Sequence, residues 1–238
     1  MTTDAPHISS AFDRDLENVQ ALVMKMGGLV ESAIVEGLAA LSDRDVERAE
    51  AVRAGDKAID ALEHEVNEEA ARIIALRAPV SQDLRTLLTV LRIAASLERV
   101  GDYAKNIAKR TGVLAEMRPI EGPDVTLRRM GREVQQMLKD TLDSFVARDA
   151  KLAEDVRQRD LDVDQMYNAL FREFLTFMME DPRNITACMH LHFIAKNIER
   201  MGDLVTNMAE QVIYLVTGEM PEDPRPKGDE TPMMSHED

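Results

Sequence analysis

The chain is written twice, and that duplication constrains its fold more than any other feature. From Arg44 it reads RDVERAEAVRAGDKAID; from Arg148 it reads RDAKLAEDVRQRDLDVD, at an offset of 104 residues. A second pair of blocks follows in the same order. IAASLERVGDYAKNIA from Ile93 answers IAKNIERMGDLVTNMA from Ile194, at an offset of 101. Two matched blocks in one order mark a tandem repeat, so any fold must be one that the chain can build twice. The three-residue change in offset places a length difference near the turn between the blocks.

Each copy reads as three helices. In the first, Leu16, Val19, Val23, Met26 and Val30 recur at helical spacing and predict a helix from about Phe12 to Leu41. Ser42 is a candidate N-cap for a second helix ending near Ala78. Pro79 stops it, Ser81 can cap the third, and the third runs to about Glu116. MRPIEGPDV, with two prolines and a glycine, is the joint between the copies. The second copy predicts helices at about 125–147, 149–180 and 184–216, broken at Asp181–Arg183. The fold class is therefore all-α: two tandem three-helix bundles related by internal duplication. The expected boundaries are 1–120, 121–218 and an acidic, Pro-rich, disordered tail over 219–238. Helices of about 35 residues are about 50 Å long, which predicts an elongated molecule.

Composition narrows the function. The formal net charge of −15 leaves no basic face to neutralise phosphates, which argues against a nucleic-acid partner. The single cysteine, Cys188, excludes an internal disulfide framework and a Cys-based zinc site. No apolar run is long enough to span a bilayer, so no membrane insertion is expected. MTTDAPHISSAFDRDLENVQ shows no basic stretch followed by an apolar one, and the sequence reads as cytoplasmic.

The chemistry lies in the acids. Glu98 and Asp102 sit four residues apart, as do Glu199 and Asp203, which sets like charges on one helix face at a small cost. Asp56 and Asp60, and again Asp160 and Asp164, repeat the spacing on the preceding helix. In a helical hairpin, residues equidistant from the turn lie at one height. Asp56 with Asp102 and Asp60 with Glu98 centre on Pro79; Asp160 with Asp203 and Asp164 with Glu199 centre between Asp181 and Pro182. Each hairpin thus levels four carboxylates, ~28 Å from its turn. His64, Asn106, Asn168 and Asn207 stand one turn further on as additional polar contacts. The acids face away from the apolar stripe of Ile93, Leu97, Val100, Ala104 and Ile107, or of Ile194, Ile198, Met201, Val205 and Met208, which lies on roughly the opposite side of the helix. Small Gly101 and Gly202 sit beside them. This predicts an open acidic groove in each bundle. A lone acid pair is more often a solvated face, and Arg99 or Arg200 would add only weak ion pairs. Two pairs per copy, levelled and duplicated, favour a cation site in each bundle. Oxygen donors suit hard cations such as magnesium, calcium, manganese or iron, with zinc also open.

Other constellations carry less. His190 and His192 are spaced by two, which turns them to different sides of a helix. No His follows a Glu by three, as the di-iron bundles require. There is no P-loop and no nucleophile elbow. Cys188 reads as a buried inert thiol, and most Met as core.

LERVGDYAKNIA, IERMGDLVTNMA, APVSQDLR and the two-bundle plan resemble the PhoU family of phosphate-uptake regulators, over nearly the whole chain from Phe12 to Val216. The resemblance implies a cytoplasmic, often dimeric protein that binds metal clusters through E(D)xxxD motifs. Carried over here, these are Asp56, Asp60, Glu98, Asp102, Asp160, Asp164, Glu199 and Asp203. It implies a negative regulator of the phosphate-starvation response that links the Pst phosphate transporter, through a PstB-like ATPase, to a PhoR-like sensor histidine kinase. Many members carry His after the motif Asp, where this chain has Tyr103 and Leu204. The expectation is a non-enzymatic, metal-binding adaptor and homodimer. The alternatives are acid clusters that meet a basic partner without metal, or a metal-dependent enzyme, which is disfavoured for want of a general base distinct from the ligands.

Overall fold

The structure, a computed structural model, describes residues 5–221, with side chains from Phe12 onward. Six helices run in sequence: α1 (Ala5–Asp43), α2 (Val46–Arg77), α3 (Ser81–Ala115), α4 (Pro123–Ala147), α5 (Ala150–Glu180) and α6 (Ile185–Thr217). A single 3₁₀ turn, Pro182–Asn184, precedes α6, and no strand occurs among the described residues. The expected tail falls, from residue 222, outside the described residues.

The caps show how the duplication is built. The turns after α1 and α4 are the same RD pair. Arg44 and Arg148 take the left-handed conformation, with φ of 57° and 55°. Asp45 and Asp149 then cap the next helices. Asp45 accepts from the Arg48 amide at 2.9 Å, and Asp149 from the amides of Lys151 and Leu152 at 2.9 and 3.1 Å. Ser42 is not the cap, because α1 runs through it to Asp43. Nor does Ser81 cap α3: it is the first helical residue, after Val80. A carboxylate beside the exposed amides of a helix start is the better acceptor, since it also meets the positive end of the helix dipole.

Within each copy the three helices pack on one another, and the copies join through α3 on α6 and α1 on α4. One continuous core results. It contains Val23, Met26 and Val30 of α1, Leu97 and Val100 of α3, Met130 and Met137 of α4, and Ile198, Met201 and Val205 of α6, all fully buried. Two glycines bring α1 and α4 together reciprocally: the Leu142 side chain lies over Gly27, and that of Leu38 over Gly131. On the α3–α6 seam, Arg92 donates to Gln211 at 2.8 Å, and Arg110 lies over the Phe193 ring at 4.3 Å. Among the described residues no helix is long and apolar enough to cross a membrane.

Candidate metal-binding acidic clusters

The α2–α3 hairpin brings its four acids to one level. Burial, and then the charges of Asp102, Glu63, Asp60 and Asp56, push the Glu98 carboxyl above the usual carboxylate range. Glu63 is a fifth acid that the motif reading missed; it lies one turn beyond Asp60 on α2. The cluster is graded in depth. Asp56 is 5% exposed, Glu98 and Asp102 are half-buried, and Asp60 lies at the surface. His64 and Asn106 are exposed, and His64 faces Glu68 on its own helix at 3.3 Å rather than the acids.

A lysine reaches into this cluster. The Lys105 ammonium donates to Asp56 of α2, and to Asp102 of its own helix at 3.2 Å. Those two hydrogen bonds push the lysine above its ordinary range. The pair to Asp56 gives a buried carboxylate the partner that burial demands. The signal was present in the sequence as a cation three residues after Asp102, but its reach across the hairpin was not.

The α5–α6 hairpin encloses its cluster further. Asp160, Asp164, Asn168 and Glu199 are 2%, 5%, 6% and 5% exposed, and Asp203 is half-buried. Asn207 is exposed and stands apart. Lys196 donates to Glu199 at 2.9 Å and lies over the Tyr167 ring at 4.7 Å. Arg157, buried on the same helix as Asp160, donates to Glu154 at 2.7 Å and to Glu210 at 3.3 Å. At the position of Lys105 stands Thr206, whose hydroxyl donates to the Gly202 carbonyl at 2.9 Å.

The clusters are thus more buried than the open groove expected from sequence. The glycines are the reason. A Cβ on Gly202 would lie 3.1 Å from Asp160 Oδ1 and 3.4 Å from Val163 Cγ1. One on Gly101 would lie 3.0 Å from Ile59 Cδ1 and 3.8 Å from Asp56 Oδ1. The missing side chains let α2 close on α3, and α5 on α6, which shuts the acids on the inner flank away from water.

The remaining candidates behave as ordinary residues. His190 Nδ1 lies 3.2 Å from Arg110, whereas His192 is packed among the rings of Tyr167, Phe171 and Phe193. Cys188 is fully buried, and burial pushes its thiol up.

The family model of the PhoU domain matches this chain twice, over residues 23–111 and 127–212. The chain belongs to the PhoU family. It is 46% identical over 223 residues to the phosphate-specific transport system accessory protein PhoU homolog of Caulobacter vibrioides (strain NA1000 / CB15N), covering 94% of this chain and 97% of that one. The protein of the same name from Zymomonas mobilis is 48% identical over 222 residues, covering 93% of both chains. The crystal structure of PhoU from Pseudomonas aeruginosa superposes with a TM-score of 0.85 at 39% identity, covering 87% of this chain and all of that one. The phosphate transport system regulatory protein PhoU from Streptococcus pneumoniae gives 0.83 at 30% identity, over 89% of this chain and all of that one. The PhoU matches enclose both clusters, and each match holds one of them.

Does the donor set suit the metals that PhoU resemblance implies? Among the described residues, no three His, Cys, Asp or Glu side chains converge to hold an ion as they stand. The chemistry nevertheless fits a hard cation, because the acids of each copy offer carboxylate oxygens. A lysine already occupies each cluster: Lys105 pairs with Asp56 and Asp102 in the first, and Lys196 with Glu199 in the second.

Proposed function

We propose that this chain is an accessory protein of a phosphate-specific transport system, which represses the phosphate-starvation response as a non-catalytic cytoplasmic adaptor. In this reading it acts as a homodimer between the transporter's PstB-like ATPase and a PhoR-like sensor histidine kinase. The observation that carries it is the doubled PhoU match spanning both bundles, with relatives at this identity that bear the transport-system name. The architecture supports an adaptor. Long, rigid helices present two similar acidic faces, and the net charge of −15 suits basic surfaces on partner proteins.

The clusters would take magnesium, calcium, manganese or iron in preference to zinc, which favours sulfur and nitrogen donors. Asp160, Asp164, Glu199 and Asp203 would hold an ion in the second copy; Asp56, Asp60, Glu98 and Asp102 are the equivalent donors in the first. A bound cation would neutralise the gathered carboxylates and fix their rotamers.

The test is a host deleted for its own copy and carrying a phosphate-starvation reporter. This chain is expected to restore repression in high phosphate, and to retain the transporter ATPase and the sensor kinase in a pull-down. A reporter that stays derepressed while the protein is folded and abundant would overturn the regulatory reading. Retention of neither partner would overturn the adaptor.

A further inference from the structure

The seam between α3 and α6 runs against the charge of the molecule. On its outer face Arg85 lies over the Tyr214 ring at 5.2 Å, Arg92 donates to Gln211 at 2.8 Å, and Arg110 lies over the Phe193 ring at 4.3 Å. Arg99 follows Arg92 on α3, and Arg200 follows Phe193 on α6, each by about two turns, so both share that face. Between the Arg92 and Arg110 contacts they fall at about one height. Both are exposed, and among the described residues neither makes an ion pair or a hydrogen bond. The motif acids Asp102 and Asp203 come three residues later, turned about 60° toward the flanks, and Lys105 holds Asp102. Met189 and Phe193 continue the stripe as exposed apolar residues. In a chain of net charge −15, this face is one that an acidic segment fits.

The chain itself turns back onto this seam. Gly218 ends α6 with a left-handed φ of 89°, and its amide donates to the Tyr214 carbonyl at 2.9 Å. The backbone there passes against Arg85: a Cβ on Gly218 would lie 2.9 Å from the guanidinium. The Thr217 hydroxyl donates to the Glu219 carbonyl at 3.0 Å and accepts from the Glu219 amide at 3.2 Å, which pins the turn. Met220 Sδ then lies 4.0 Å from Gln211 Nε2, almost two turns back along α6 and beside Arg92. We infer that residues 222–238 of this same chain lie along the α3–α6 seam, their carboxylates on Arg92, Arg99 and Arg200, and Met233 and Met234 against Phe193 and Met189. The segment reads EDPRPKGDETPMMSHED, with acids well in excess of Arg225 and Lys227, and its prolines suit an extended course. Fully extended it spans ~55 Å, whereas Gln211 and Phe193 are ~27 Å apart along α6. A covered seam admits an outside acidic segment only by displacing this one. The inference does not depend on the regulatory reading.

The test places nitroxide labels on full-length Val113→Cys/Met234→Cys, at the far end of the seam and near the end of the segment; Cys188 is fully buried and stays unlabelled. Distances between the labels are read by double electron–electron resonance. In about 0.1 M sodium chloride a population below about 25 Å is expected, and in about 1 M, where charges are screened beyond ~3 Å, a broad distribution centred near about 35 Å. Adding Arg99→Gln/Arg200→Gln should give the broad distribution already at low salt. Adding Arg129→Gln/Arg132→Gln, the same charge change on the exposed face of α4, should leave the short distance in place. An equal mixture of singly labelled chains should show no short distance. A broad distribution at low salt in the doubly labelled chain overturns the inference. So does an equal response to the two pairs of glutamines, which removes Arg99 and Arg200 from the contact. A short distance in the mixture as well gives the seam to the segment of a second copy and overturns the course within one chain.

Discussion

Replacing Gly202 by Ala probes the closeness of α5 and α6 at the second cluster. Two effects compete. Alanine in a helix interior is worth about 1 kcal/mol over glycine, so the propensity change favours the variant. Against it stands the added Cβ, 3.1 Å from Asp160 Oδ1, 3.4 Å from Val163 Cγ1 and 3.7 Å from Val134 Cγ2. The Asp160 carboxylate cannot swing into solvent, since the residue is 2% exposed, and both valines are fully buried. Overpacking of this kind costs about 1–3 kcal/mol. The net is a destabilisation of up to about 2 kcal/mol. Gly55 supplies the control: it lies in α2, and a Cβ there meets nothing within 4 Å. Gly55→Ala keeps the propensity gain, about 0.5–1 kcal/mol. Domains of this size shift by about 2–4 °C per kcal/mol, so the two variants should melt several degrees apart on either side of wild type. Thermal denaturation in chelator is the assay. Gly202→Ala as stable as Gly55→Ala would refute the argument that glycine sets the approach of the helices.

Three further outcomes follow from the same structure. Glu98, raised above the usual carboxylate range, binds its proton more tightly folded than unfolded, so the penalty of its charge is full above the folded pKa and disappears below the unfolded value of about 4.3. In metal-free protein, Glu98→Gln should therefore raise the melting temperature near pH 7 and not near pH 4; an equal rise at both would show that charge is not the cause. Cys188, fully buried with its thiol pushed up, should react with an aromatic disulfide reagent only at the rate of unfolding, and a rapid native burst of absorbance would contradict that placement. Asp149→Ala removes the acceptor for two amides at the start of α5 and should cost about 1 kcal/mol in denaturant unfolding, an expectation that an unchanged midpoint defeats.

Most of the fold was legible because helices announce themselves locally. Apolar spacing and the breaks at Pro79, 117–125 and Asp181–Arg183 located six helices to within a few residues, apart from the start of α1, whose backbone is helical from Ala5. Ser42 does not cap α2 because α1 continues through it, and Asp45, the acid that follows Arg44, takes that place. In the first hairpin the neighbourhood of the acids was legible too, since a short turn fixes the height of each residue on an antiparallel pair. The field of Asp102, Asp60 and Asp56 at Glu98 agrees with that arithmetic.

What the sequence by itself determined, then, is the repeated helical plan, the register of each hairpin and the identity of the acids. Those follow from the helical period and from the symmetry of one chain copied twice. Only the tertiary structure decided how deeply the acids sink and which cations meet them. Depth depends on the distance between helix axes, which Gly101 and Gly202 set through contacts with Ile59 and Asp160. The cations depend on where flexible side chains end: Lys105 crosses from α3 to Asp56, while Lys196 of α6 pairs with Glu199 and lies over the Tyr167 ring of α5. Neither the interaxial distance nor the reach of a lysine is periodic, so no pattern along the chain encodes them. They appear when the bundles close, and they turn two nearly identical motifs into two different sites.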